Sequence, residues 1–133
     1  MAGEARQFAI QLDREFAERV EGRLREAVQK IGMETLRRVV LKTPVDTGRA
    51  RGNWFVTLDA PTTETTAAVD PSGAATIGRG ARVIGGMRDV RAIWLTNSLP
   101  YIQRLESGYS KQAPAGMVAV TVAEINAALG RIQ

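Results

Sequence analysis

Few residues in this chain are equipped for chemistry. It has 133 residues and contains neither histidine nor cysteine. That excludes Ser-His-Asp and Cys-His nucleophiles, the HExxH zinc helix, thiolate ligands, disulfides and a side chain that switches charge near neutral pH. Asp46, Asp59, Asp70, Asp89 and Glu106 could supply carboxylates. Acid–base work requires two of them in one cleft with separated pKa values, and no spacing announces such a pair. Asp46 sits in a Pro-Gly turn and Glu106 near the end of a short predicted helix, so both read as structural. No acidic cluster suggests a hard-cation loop. Gly78-Arg79-Gly80 followed by Gly85-Gly86 invites comparison with a phosphate loop. The dinucleotide fingerprint would need glycine at position 83, which is Val83, and no Gly-Lys-Ser/Thr occurs. The expectation is a protein with no catalytic residues, no cofactor and no metal.

Charge offers a second line. The formal net charge is +4. Residues 1–51 carry eleven Lys/Arg against eight Asp/Glu, and residues 52–133 carry seven against six. Most of these charges alternate in sign, as on a solvated helix face. The cluster Arg37, Arg38, Lys42, Arg49 and Arg51 is the exception, and a basic cluster can meet nucleic acid. Trp54 and Trp94 lie in apolar runs and read as core. Tyr101 and Tyr109 flank a polar turn, and either could anchor an interface.

These residues must be positioned by a small set of elements. Leu12, Phe16, Val20, Leu24, Val28, Ile31, Leu36, Val39 and Val40 recur at steps of three and four, which predicts an amphipathic helix over about 11–42. Gly22 and Gly32 each cost it about 1 kcal/mol, and Gly32 is a place for a bend. Pro44 ends it. At 1.5 Å per residue it would run roughly 45 Å, long for a domain of this size, so part of it is expected to pack outside its own fold. Thr43-Pro44-Val45-Asp46-Thr47-Gly48 is a structured turn. Residues 52–69 read as a hairpin, with Trp54, Val56 and Leu58 on one face of its first strand. The glycine-spotted stretch 73–87 reads as a weak helix, and 92–97 as a buried strand. Asn97 is expected to cap a short helix containing Pro100, Tyr101, Ile102 and Leu105. Val118, Val122, Ile125, Leu129 and Ile132 predict a C-terminal helix over 116–132. The order gives an α+β class: a long N-terminal helix, a small mostly antiparallel sheet, short helices and a C-terminal helix.

Composition fits one globular domain over 1–133, with 44% hydrophobic and 24% charged residues. No stretch approaches the roughly 18 apolar residues of a membrane span. Residues 1–25 are charged throughout and do not resemble a signal peptide, so a cytoplasmic site of synthesis and no membrane partner are expected.

Two blocks of residues carry a resemblance. The first is Val39-Val40-Leu41-Lys42-Thr43-Pro44-Val45-Asp46-Thr47-Gly48-Arg49-Ala50-Arg51-Gly52-Asn53-Trp54. The second is Ile93-Trp94-Leu95-Thr96-Asn97-Ser98-Leu99-Pro100-Tyr101, continuing through Leu105-Glu106-Ser107-Gly108-Tyr109-Ser110-Lys111-Gln112-Ala113-Pro114 to Gly116-Met117-Val118. In order and spacing they resemble the signature of a tail-component family of long-tailed bacteriophages and related prophage elements, comprising minor tail, neck and tail-completion proteins. The resemblance covers about residues 8–130 and is weakest over 78–86. It implies a structural virion protein without enzymatic activity. Such a protein forms a homo-oligomeric ring, commonly a hexamer, at the head-proximal end of the tail and enables head–tail joining. The implied partners are the tail tube, tail terminator or head–tail connector proteins, with non-specific contact to passing DNA. The implied location is the virion, and the host cytoplasm during assembly. Thr43, Pro44, Asp46, Thr47 and Gly48 form the motif turn. Arg49, Arg51, Tyr101, Lys111 and Gln112 are the candidate interface residues. A tail terminator or connector ring is an alternative, and a small basic nucleic-acid-binding protein a remoter one. A phage-borne glycosidase using Glu106 is remoter still.

Overall fold

The computed structural model describes residues 2–131, with side chains from Ala17 onward. Leu12, Phe16 and Ile132 of the predicted stripes therefore lie outside the described side chains. Helix α1 spans Ala2–Lys42. It begins earlier than the periodicity suggested, because the residues before position 11 are mostly good helix formers and extend a formed helix cheaply. At 41 residues it is roughly 60 Å long. Among its described side chains, those that face the core lie in its C-terminal half, chiefly Leu36, Val39 and Val40. Gly32 marks a close approach. A Cβ there would lie 2.7 Å from Ile93 Cδ1, so the glycine lets the sheet lean directly on the helix.

The chain turns through α2 (Arg49–Gly52) into β1 (Phe55–Leu58). β1 pairs antiparallel with β2 (Ile93–Thr96), Val56 opposite Leu95 and Leu58 opposite Ile93. The expected hairpin over 52–69 is absent: residues 61–69 run without strand pairing. The physical reason is composition. Thr62–Val69 has no alternating large apolar residues to cover a core, whereas Ile93 and Leu95 do. The threonine-rich run is instead pinned at Thr66, whose N–H and carbonyl bond the Asn53 side chain at 2.9 Å each.

Residues 74–85 form a full helix, α3 (Ala74–Gly85). Its glycines serve packing. A Cβ at Gly80 would sit 2.4 Å from Leu36 Cδ2 and 2.7 Å from Val56 Cγ2, so α3 presses its backbone onto α1 and β1. Asp70 holds the start of α3, accepting hydrogen bonds from the Thr76 amide at 2.8 Å and the Thr76 hydroxyl at 2.7 Å. Burial opposes its ionisation, yet these bonds prevail and keep its carboxyl below the usual range. Arg79 lies 4.1 Å over the Phe55 ring and donates to the carbonyls of Gly52 and Trp54.

The chain closes with α4 (Ile102–Glu106) and α5 (Val118–Gly130). Trp54, Val56, Ile84, Met87, Ala113 and Met117 complete the core begun by α1. Trp94 does not join it. Successive strand residues face opposite ways, Ile93 and Leu95 take the core side, and Trp94 is left 43% exposed. Asn97 does not cap α4 either. Its amide donates to the Ala50 carbonyl, tying the end of β2 to α2, and its oxygen accepts from the Leu99 amide.

Thr121 is buried, and its hydroxyl has no partner among the described residues. A buried unpaired hydroxyl costs about 1–3 kcal/mol, and an isosteric apolar replacement removes that cost. Thr121→Val is therefore expected to raise stability by about 1 kcal/mol, read as a higher urea midpoint at unchanged slope.

Candidate interaction cleft

The first sequence block is mostly a framework. Thr43 is fully buried. Its hydroxyl donates to the Val39 carbonyl at 2.7 Å and accepts the Trp54 indole N–H at 2.8 Å. It thereby ends α1 and anchors the tryptophan together. Pro44 stops the helix. Gly48 takes φ +93°, and a Cβ there would meet the Pro71 backbone at 2.5 Å, so a side chain is excluded by both conformation and space. Thr47 accepts the Arg49 amide. Asp46 is exposed.

Arg51, a candidate interface residue, has partners within its own fold. Its guanidinium donates to the carbonyls of Leu41, Thr43 and Pro71 at 2.8–2.9 Å, satisfying two of the orphan carbonyls at the end of α1. Gln112 is likewise engaged. Its amide clamps the Val45 backbone, accepting from N–H and donating to C=O, both at 2.9 Å. The sequence offered no local partner for either residue because both partners are backbone atoms brought close by folding.

The second block is also a framework. The Glu106 carboxylate accepts the amides of Met117, Val118 and Ala119 at 2.8–3.0 Å, capping α5 from 11–13 residues away in sequence. Gly116, at φ +82°, lies so close that a Cβ would meet the Glu106 carbonyl oxygen at 2.4 Å. Burial pushes the Glu106 pKa up, but the three amides outweigh it and the net shift is downward. The folded-state pKa lies below the unfolded one. Its stabilisation is therefore present above the unfolded carboxyl pKa and is lost as pH falls through the folded value. Glu106→Gln should cost about 1.5 kcal/mol at neutral pH. It should also flatten the acid limb of stability against pH, measured by denaturation between neutral pH and acid.

Together the blocks enclose a cleft of about 330 Å³. Pro44 to Ala50 form one wall, Tyr101, Leu105, Tyr109 and Ser110 the other, and Gln112 bridges them. A second depression of about 380 Å³ shares Pro44 and Gln112 and is lined by Leu41, Thr43, Arg51 and Ala113–Gly116. Asp46, Thr47, Arg49, Tyr101, Tyr109 and Gln112 are the exposed lining residues with polar tips. Tyr109 is 73% exposed, and Arg104 lies 5.3 Å over its ring. Lys111 is exposed and does not line the cleft.

No protein-family model, curated protein or solved structure matches this chain.

What the cleft can do follows from its lining. Asp46 is the single carboxylate among its described lining residues, so it holds no pair of carboxylates. Asp59 and Asp89 pair with Arg91, and Asp70 and Glu106 cap helices. Among the described residues no group of three His, Cys, Asp or Glu could hold a metal. Two phenols, a guanidinium and a carboxylate around apolar Pro44, Ala50 and Leu105 instead suit protein contact, where aromatics and arginine dominate binding. The basic cluster is largely engaged within the fold. Arg38 and Lys42 pair with Glu124, holding its carboxyl below the usual range, with Lys42 the main cause, and Arg51 donates to backbone carbonyls. Arg37 and Arg49 remain exposed. Leu105 and Ala50 are lining residues that sequence reasoning missed; both are apolar, and their part in the cleft depends on the fold bringing residues 44–50 beside residues 101–112.

Proposed function

We propose that this chain is a structural component of a long-tailed phage tail, a tail-completion or neck protein. It assembles as a ring at the head-proximal end and enables head–tail joining. The observation that carries the reading is the convergence of the two resembling blocks. Residues 44–50 and 101–112 lie far apart in sequence and line one cleft. Their inward residues build its frame, and their outward ones, Asp46, Arg49, Tyr101 and Tyr109, are presented to a neighbour. The proposed neighbour is an adjacent subunit or the tail tube. The engagement of Arg38 and Lys42 by Glu124 and of Arg51 by backbone carbonyls favours this reading over a nucleic-acid one.

The test is genetic. Deleting the gene from the phage or prophage that carries it should leave filled heads and unjoined tails, seen by electron microscopy. The wild-type gene should restore joining, and a gene encoding Asp46→Arg with Tyr109→Ala should not. Normal virions from the deletion would refute the reading.

A further inference from the structure

Helix α5 has an apolar surface that its own fold does not cover. Among its 13 residues the single charge is Glu124, which is spent on Lys42 and Arg38 of α1. Its exposed positions include Val118, Val122, Ala123, Ala127 and Leu129, with Asn126 the polar exception. A helix apolar on nearly every side belongs in an interior. Between α5 and α1 runs an open groove of about 470 Å³, lined by the apolar Ala27, Ile31, Ile125, Ala128 and Leu129 and edged by the charged Lys30, Glu34 and Arg38.

The same chain carries an amphipathic helix whose described apolar residues are exposed at its free end. Arg25 is the first described side chain of α1 to hydrogen-bond another part of the fold, reaching the Arg88 carbonyl. Over Ala17–Leu24 the described side chains are mostly exposed, Val20 at 47% and Leu24 at 50%. The sequence continues that spacing back to Leu12 and Phe16. Because this stretch is continuous with the helix that forms one wall of the groove, it cannot fold back into its own groove. Only another copy can supply it.

We infer that the N-terminal half of α1 from one copy lies in the α1–α5 groove of the next. The inference deepens the ring reading above and rests on it for its biological setting. The two patches differ, so the contact is head-to-tail: each copy gives a helix to one neighbour and accepts one from the other. Such contacts close into a ring when the rotation closes.

The test uses the full chain alone, by sedimentation velocity and native mass spectrometry over a wide concentration range. The wild type should self-associate. Leu24→Asp spoils the inserted helix and Leu129→Asp the groove. Both positions are partly exposed in one copy, so circular dichroism should be unchanged. Each should weaken association at least about tenfold, since a charge is forced into an apolar contact. Mixed together they should form one-to-one pairs that grow no further, because each supplies the half that the other lacks. In a chain without cysteine, Leu24→Cys mixed with Ala128→Cys should yield an intermolecular disulfide on mild oxidation. A wild type that is monomeric throughout overturns the inference. So does a Leu129→Asp variant that associates like the wild type, which would mean α1–α1 pairing, or a mixture no better than either variant. These results do not depend on tails: self-association with a normal deletion phenotype would defeat the tail reading alone, and a joining defect with a monomeric chain would defeat this inference alone.

Discussion

Trp54→Ala is expected to lower the unfolding free energy by about 4 kcal/mol, the cost of emptying a large aromatic site in a close-packed core. Trp54 is 5% exposed and packs with Leu36, Val39 and Val56. Its loss also strips the Thr43 hydroxyl of a donor at the point where α1 ends. For a domain whose whole stability is about 5–15 kcal/mol, the variant should be marginal and its urea midpoint far lower. Trp54→Phe keeps most of the volume and removes the N–H, and should cost about 1–2 kcal/mol. The control is Trp94→Ala, which should cost less than about 1 kcal/mol because that residue stays 43% exposed and lies off the core. Equal losses at the two tryptophans would contradict the assignment of Trp54 alone to the core.

Arg51→Met is expected to cost about 3 kcal/mol, because it keeps the side-chain stem and removes three charge-assisted bonds to carbonyls. Arg49→Met, two residues away and exposed, should change stability by less than about 0.5 kcal/mol. Thermal and urea denaturation of the two single variants separates the roles. Similar small effects at both would return Arg51 to the interface and overturn its role as the clamp on the end of α1.

The long helix, its stop at Pro44, the core strand at 55–58 and the C-terminal helix were legible because each rests on local periodicity or a local breaker. The hairpin over 52–69 was not, because two β-favouring runs near in sequence say nothing about which third run offers the better apolar face. Ile93 and Leu95 won that pairing. The helix at 74–85 was obscured by glycines whose value is a close approach to Leu36 and Val56, a tertiary matter. The motif turn was legible as a turn. That Arg51 and Gln112 hold backbone atoms was not, since their partners include groups 20 and 67 residues away. Glu106 read as structural from its position, but its role as the cap of α5 needed the fold to bring it to Met117.

The proposed tail role is tested most directly by cryo-electron microscopy of particles purified from cells that express this chain from its native locus. The expected result is a ring of this protein at the head-proximal end of a tail, with Tyr101 and Tyr109 buried against a neighbouring subunit or the tail tube. Absence of the chain from such tails, or a ring in which the cleft between residues 44–50 and 101–112 opens to solvent, would contradict the proposal.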